Sequence, residues 1–378
     1  MYNISTLNKI SPVGLAHLTD KYQVSDDIES AVGILVRSQD MHDMAFSKNL
    51  LAIARAGAGV NNIPLDECAD QGIAVFNTPG ANANAVKELT LAGLFLSARN
   101  IPAALSWAQT LTTDVSKAVE KGKSQFAGHE IEGKTLGVVG LGAIGVLVAN
   151  SAASLGMNVI GYDAFFSVKS AHNLCPCVKV VNDLKDLLPV CDYISIHVPA
   201  MDATKGMFNK AVLDQVKDGT VLLNFSRDKL VVEADILAAV ESGKLAEYVT
   251  DFGTDGIINK KNIVVLPHLG ASTEEAEDNC ATMAAVQIMD FVENGNVVNS
   301  VNFPAVNLGP ANGDTRIAVM TKGVEKPVDL ALAMFADISV KAVVGGTKGS
   351  YGYVLISTDS QITSVPKADG VVRVRVIQ

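Results

Sequence analysis

Basic residues are in the minority: 30 Lys and Arg stand against 40 Asp and Glu, a net charge of -10 with a pI near 5.1. That deficit excludes a general nucleic-acid or anionic-membrane binder, because either needs a broad positive field. An anionic substrate must instead be drawn by a few local Arg or Lys side chains. No uninterrupted apolar run is long enough to cross a bilayer. The opening stretch MYNISTLNKI also lacks the basic start and apolar core of a secretory leader. Cysteine is scarce: five in 378 residues, odd in number and scattered, which reads as reduced thiols in a cytoplasmic protein. Cys175 and Cys177 are separated by one residue rather than two, with no second pair and no histidine cluster nearby. They read as a chance surface pair, and no metal site is expected. There is no internal repeat and no low-complexity tract. What the chain does have is 48% hydrophobic and 19% charged residues over 378 positions. That composition supports large buried cores divided among two or three domains.

Short β-branched runs at 33–36, 51–54 and 73–76 read as strands bounded by polar or Gly-rich turns. The run 85–99 is a long helix, apolar nearly all round, expected to be buried between layers or subunits. A second series follows: strands at 136–139, 158–162, 192–198, 220–224, 248–252 and 262–266, with helices at 143–155 and 231–242. Strands alternating with helices imply parallel α/β sheets. A helix at 272–294 opens with Ser272, Thr273, Glu274 and Glu275, which supply hydroxyl caps and dipole-matching acids. Residues 301–314 are rich in Asn, Gly and Pro and read as a linker. Beyond them the texture changes to strand 317–320, helix 328–335 and strands 340–344, 351–357 and 371–377, a small α+β module.

Gly140-Leu-Gly142-Ala-Ile-Gly145 matches G-x-G-x-x-G, directly after strand 136–139 and at the start of a helix. Gly140 permits a tight turn, Gly142 lets the backbone approach a pyrophosphate, and Gly145 lets helix and strand pack closely. With Ala143 and Ile144, these residues present main-chain N–H groups at a helix N-terminus to the phosphates. Asp163 ends the next strand, where a carboxylate accepts hydrogen bonds from both ribose hydroxyls and repels a 2′-phosphate. That favours NAD over NADP.

Six further motifs stand in one order: Arg55-Ala-Gly-Ala-Gly-Val-Asn-Asn62, Phe76-Asn-Thr-Pro-Gly-Ala-Asn-Ala-Asn84, Gly133-Lys-Thr-Leu-Gly-Val-Val-Gly-Leu-Gly142, His197-Val-Pro199, Asn224-Phe-Ser-Arg227 and Pro267-His-Leu-Gly-Ala-Ser272. Over residues 30–300 the chain resembles the D-isomer specific 2-hydroxyacid dehydrogenase family, in its D-3-phosphoglycerate dehydrogenase branch. The resemblance implies a hydride-transfer site in the cleft between two Rossmann-like domains. Residues 1–94 would be the first part of a flavodoxin-like substrate domain, 95–271 the NAD-binding domain, and 272–300 a helix returning to the substrate domain. The linker would be 301–314 and a small α+β ACT-like domain 315–378.

Within that frame His268 is the expected acid–base residue, because oxidising a secondary alcohol needs a base for the O–H proton. Arg227, with its planar fork, is expected on the substrate carboxylate and carbonyl, and the amides of Ala56, Gly57, Ala58 and Gly59 would form an anion nest beside it. Arg37 and Arg55 resemble residues that reach a substrate phosphate. His197, Val198, Pro199, Thr78 and Asp251 join the expected cofactor set, Asp251 as acceptor for the nicotinamide amide. Two positions depart from the family. The acid that holds the histidine tautomer is replaced by Gly256, leaving Asp255 as the nearest catalytic carboxylate. The Gly after the catalytic Arg is Asp228, expected to compete for Arg227 and to strain the turn.

The C-terminal module resembles an ACT domain on Arg316-Ile-Ala-Val-Met320 and Gly370-Val-Val-Arg-Val-Arg-Val-Ile377, with the turn into its first helix changed and its second helix shortened. That resemblance implies L-serine as a second ligand and a homodimer or homotetramer. The expected function is NAD-dependent oxidation of 3-phospho-D-glycerate to 3-phosphohydroxypyruvate in L-serine biosynthesis. Two alternatives stay open: another D-2-hydroxyacid substrate, or an NAD-sensing paralogue with weakened catalysis.

Overall fold

Three sheets organise the chain, and the structure, a computed structural model, describes all 378 residues. The first sheet is parallel and contains β1 (Tyr2–Leu7), β2 (Tyr22–Val24), β3 (Gly33–Val36), β4 (Ala52–Arg55) and β5 (Ala74–Phe76), ordered β2-β1-β3-β4-β5. The second is also parallel and has seven strands: β6 (Thr135–Val139), β7 (Asn158–Tyr162), β8 (Lys179–Val181), β9 (Tyr193–Ile196), β10 (Thr220–Asn224), β11 (Leu245–Thr250) and β12 (Ile263–Val265). Their order, β12-β11-β10-β9-β6-β7-β8, reverses direction at β6, which makes the β6/β9 boundary a switch point where ligands gather. The third sheet is antiparallel: β13 (Thr315–Lys322), β14 (Val340–Lys348), β15 (Tyr351–Thr358) and β16 (Val371–Ile377), ordered β14-β15-β13-β16. The α/β class expected from the alternation is therefore present, with a separate antiparallel sheet at the C-terminal end.

The chain divides into two compact units, Met1–Asn82 with Glu274–Gln378, and Ala83–Thr273. The expected boundary at residue 94 falls inside helix Ala83–Ala98, which belongs whole to the second unit. That helix buries one face, through Val86, Thr90, Gly93, Leu94 and Ala98, and leaves Phe95 exposed.

In the first unit, helix Glu274–Asn294 lies on the parallel sheet, and Ile288, Phe291 and Val292 are fully buried. The C-terminal sheet packs into the same core. Met320, Tyr353 and Leu355 share a cluster with Phe76, Phe291 and Phe303, and its other face holds Val319, Val354 and Ile356 against Ala331 and Phe335. Residues 301–314 are accordingly no free linker. Phe303 and Val306 are buried, and Val306 pairs its backbone both ways with Val297 at 2.7 and 3.0 Å. The Asn, Gly and Pro of this stretch make its turns, while its apolar residues fix it to the core. The same sheet carries one helix, Pro327–Met334, and residues 359–370 contain none.

Cys175 and Cys177 are joined in a disulfide, which corrects the expectation of five reduced thiols. One intervening residue puts their Cα atoms 5.2 Å apart, within bridging range. Cys68, Cys191 and Cys280 are free and buried. No helix is long and apolar enough to cross a membrane.

Candidate active site

In the second unit the glycine-rich loop joins β6 to helix Ala143–Ser154. Gly140 has φ +98, and a Cβ there would meet the His197 carbonyl oxygen at 2.6 Å. A Cβ on Gly145 would stand 1.8 Å from the Gly140 carbonyl oxygen, so helix and loop touch backbone to backbone. Nothing lies within 4 Å of a Cβ on Gly142, which leaves that face of the helix N-terminus open. Asp163 follows β7, and its carboxylate accepts from Leu141 N and Phe165 N, both at 2.7 Å. His197 is buried behind the loop, with Nε2 2.8 Å from Ser195 Oγ and Nδ1 unpartnered. Burial pushes its imidazole down to about pKa 3, favouring the neutral form.

The other half of the same sheet carries Arg227, Asp251 and His268, three of the residues expected at the site. After β10, Ser226 donates its hydroxyl to Ile196 O at 2.7 Å and Asn224 Nδ2 donates to Arg227 O at 2.9 Å, fixing the loop while the Arg227 side chain is exposed. Arg227 Nη1 donates to Ser226 O at 2.6 Å and makes no ion pair with Asp228. Asp228 opens a 3₁₀ turn, Asp228–Leu230, and is not in the left-handed region, so the expected competition and strain are both absent. After β12 comes His268, exposed and with φ +49. Of eight non-Gly residues in the left-handed region, the other seven are Asn or Asp, which carry this conformation with least penalty. His268 is held there by its own N–H, which reaches Asp251 O at 3.0 Å and Leu266 O at 3.1 Å. Its ring lies 4.8 Å from that of Phe252.

Asp251 is 2% exposed; its Oδ2 accepts from Gly270 N at 2.9 Å and its Oδ1 has no partner. Burial raises its pKa, opposed by the Gly270 N–H and by the positive ends of His268 and Arg227. Asp228, Asp251, Thr254 and His268 line one cavity of about 460 Å³. Asp255 is exposed and lines neither this cavity nor its neighbour. At Gly256 a Cβ would meet Glu233 Oε1 at 1.9 Å. The carboxylate of Glu233, on helix Glu233–Glu241, therefore covers the glycine and accepts from Thr254 Oγ1. No sequence signal pointed to Glu233; β10 and β11 are parallel neighbours, and that pairing brings the start of the helix after β10 beside the loop after β11.

In the first unit, Arg37 and Arg55 stand at the C-terminal ends of β3 and β4, where Val36 and Arg55 are register partners. Arg55 Nε donates to Arg37 O at 3.0 Å. Arg37 Nη2 lies 2.6 Å from Glu277 Oε1. The expected amide nest is narrower than four residues. Ala56 N donates to Val36 O at 2.8 Å and Gly57 N to Arg55 O at 2.9 Å, so these two amides are committed to the backbone. Thr78 is fully buried and donates its N–H to Gly57 O at 3.1 Å.

Residues 91–270 match the family described as D-isomer specific 2-hydroxyacid dehydrogenase, NAD binding domain. A D-3-phosphoglycerate dehydrogenase of Haemophilus influenzae is 32% identical over 349 residues, 87% of this chain and 81% of that protein. The chain belongs to the D-isomer specific 2-hydroxyacid dehydrogenase family. The rat D-3-phosphoglycerate dehydrogenase is 33% identical over 297 residues, 76% of this chain, and the chain spans 53% of that longer protein. Among solved structures, the NAD⁺-bound 3-phosphoglycerate dehydrogenase of Entamoeba histolytica is similar with a TM-score of 0.63 and 26% identity, over 80% of this chain and 98% of that one.

The second unit has a donor and acceptor set that fits NAD. The open face at Gly142 and the helix N-terminus suit a pyrophosphate, Asp163 suits a ribose, and the orphaned Asp251 Oδ1 suits a carboxamide N–H.

Proposed function

We propose that this dehydrogenase interconverts 3-phospho-D-glycerate and 3-phosphohydroxypyruvate with NAD, the entry to L-serine synthesis. The observation that carries the reading is His268, a non-Asn residue forced into the left-handed region on the cavity that also holds buried Asp251. Strain of this kind, of order 1–3 kcal/mol, persists where function needs the side chain aimed. His268 removes the proton of the substrate hydroxyl in oxidation and returns it in reduction. Arg227 binds the substrate carboxylate and polarises the neighbouring carbonyl through its planar fork. Arg37 and Arg55 hold the phosphate, and the amides of Ala58 and Gly59 share the carboxylate with Arg227. NAD, when bound, takes up or gives the hydride at carbon 2. Asp163 disfavours a 2′-phosphate on that cofactor by charge repulsion.

The reading includes L-serine as a ligand of the C-terminal sheet and a homodimer or homotetramer. The strand order β14-β15-β13-β16 and the edge strand β14, whose ends are exposed and open to pairing, support this part of the reading. Steady-state oxidation of NADH with 3-phosphohydroxypyruvate tests the core of the proposal. Turnover with a preference for NADH of well over tenfold relative to NADPH is the expected result. NADH binding without turnover on any 2-keto acid would assign the chain to the non-catalytic alternative.

A further inference from the structure

Two arginines at the ends of adjacent strands repel each other unless an anion sits among them. In the first unit the chain supplies that anion itself. Arg37 leaves β3 and Arg55 ends β4, with Arg55 Nε bound to Arg37 O at 3.0 Å. Arg37 Nη2 is paired with Glu277 Oε1 at 2.6 Å, and Glu277 stands in the first turn of helix Glu274–Asn294. Buried Cys280, one turn further along, feels both arginines and Glu277 together, so all four groups form one electrostatic cluster. The Arg37 and Glu277 side chains are 43% and 44% exposed, so water reaches the pair and screens it. An exposed pair of this type is weak and yields to a doubly charged anion.

We propose that Glu277 is a specificity-determining residue, a built-in competitor that a substrate phosphate must displace from Arg37. This rests on the reading of Arg37 and Arg55 as the phosphate site. Its consequence is selective: the carboxylate opposes a phosphorylated substrate, by occupying Arg37 and by like-charge repulsion, and leaves an unphosphorylated one untouched.

The test compares 3-phosphohydroxypyruvate with hydroxypyruvate as substrates for the wild type, Glu277→Gln and Arg37→Ala. Glu277→Gln is expected to lower KM for the phosphorylated substrate by about three- to tenfold, with the change in KM rather than kcat. KM for hydroxypyruvate should move by less than about twofold. The gain should shrink as salt is raised. Arg37→Ala should raise KM for the phosphorylated substrate alone. If Arg37→Ala does so but Glu277→Gln leaves that KM unchanged or raises it, the competitor idea is overturned and the phosphate reading stands. If the wild type does not discriminate between the substrates and Arg37→Ala shifts both equally, the phosphate site is elsewhere and both readings fall.

Discussion

The two halves of the seven-stranded sheet build their sites in opposite ways. Around β6 and β7 the site is backbone: a carbonyl 1.8 Å from where a Cβ on Gly145 would be, and a carboxylate on Asp163 tied to Leu141 N. Around β10, β11 and β12 the site is side chain: exposed Arg227, strained His268 and buried Asp251 on loops that enclose a cavity of about 460 Å³. A backbone site tolerates almost no change in residue type, because the missing Cβ is the feature. A side-chain site can be rebuilt from different residues, and the space beside Gly256 is filled by the carboxylate of Glu233.

The largest expected effect breaks the side-chain half. In His268→Asn kcat should fall by about 10²- to 10⁴-fold, the share of a general acid–base group, while NADH affinity, read by fluorescence, changes little. Loss of NADH affinity in that variant would mean that the two halves are not separable. Gly145→Ala should do the reverse, weakening NADH binding by about 30- to 100-fold through an overpacking cost of about 2–3 kcal/mol, with a lower Tm in a thermal melt. Unchanged affinity would show that the contact at 1.8 Å relaxes freely.

The smallest effect belongs to Glu247 on β11. Burial raises its pKa from 4.5 to about 6. The folded state binds that proton more tightly than the unfolded chain, so the group costs no stability below pH 4.5 and its full penalty above pH 6. Glu247→Gln should therefore add at most about 2 kcal/mol to urea-unfolding stability at pH 7 and nothing at pH 4. A gain that is the same at both pH values would place its cause in packing rather than charge.

Legibility followed the same division. Strands 33–36, 158–162, 220–224 and 371–377 match the observed bounds; 33–36 and 220–224 are buried throughout and read as continuous runs, while 158–162 and 371–377 are partly exposed and read from their β-branched residues. The glycine loop was readable because each Gly answers a local demand of the chain. The strands Tyr2–Leu7 and Tyr22–Val24 were missed, as were helices Ile101–Ala108 and Val115–Gly122. The two strands are short or end on exposed residues, and the two helices are only eight residues long and bury no residue fully. The sequence pointed to Asp255, one residue from the substituted position, whereas Asp255 is exposed and the carboxylate against Gly256 is that of Glu233, 23 positions upstream. Pairings such as Arg37 with Glu277 span 240 positions and leave no local trace.

The shared core of the first unit also constrains how the chain can be made. Residues 83–273 are contiguous, so that unit can close while the rest is still being synthesised. Ile4, Phe76 and Ala54 cannot, because their cluster is completed by Phe291, Tyr353 and Leu355. At ribosomal rates of about 5–20 residues per second the first strand waits roughly 20–70 s for its last partner. Until then its apolar face is open to other chains. A truncation within the C-terminal sheet should on this account cost solubility before it costs any regulation.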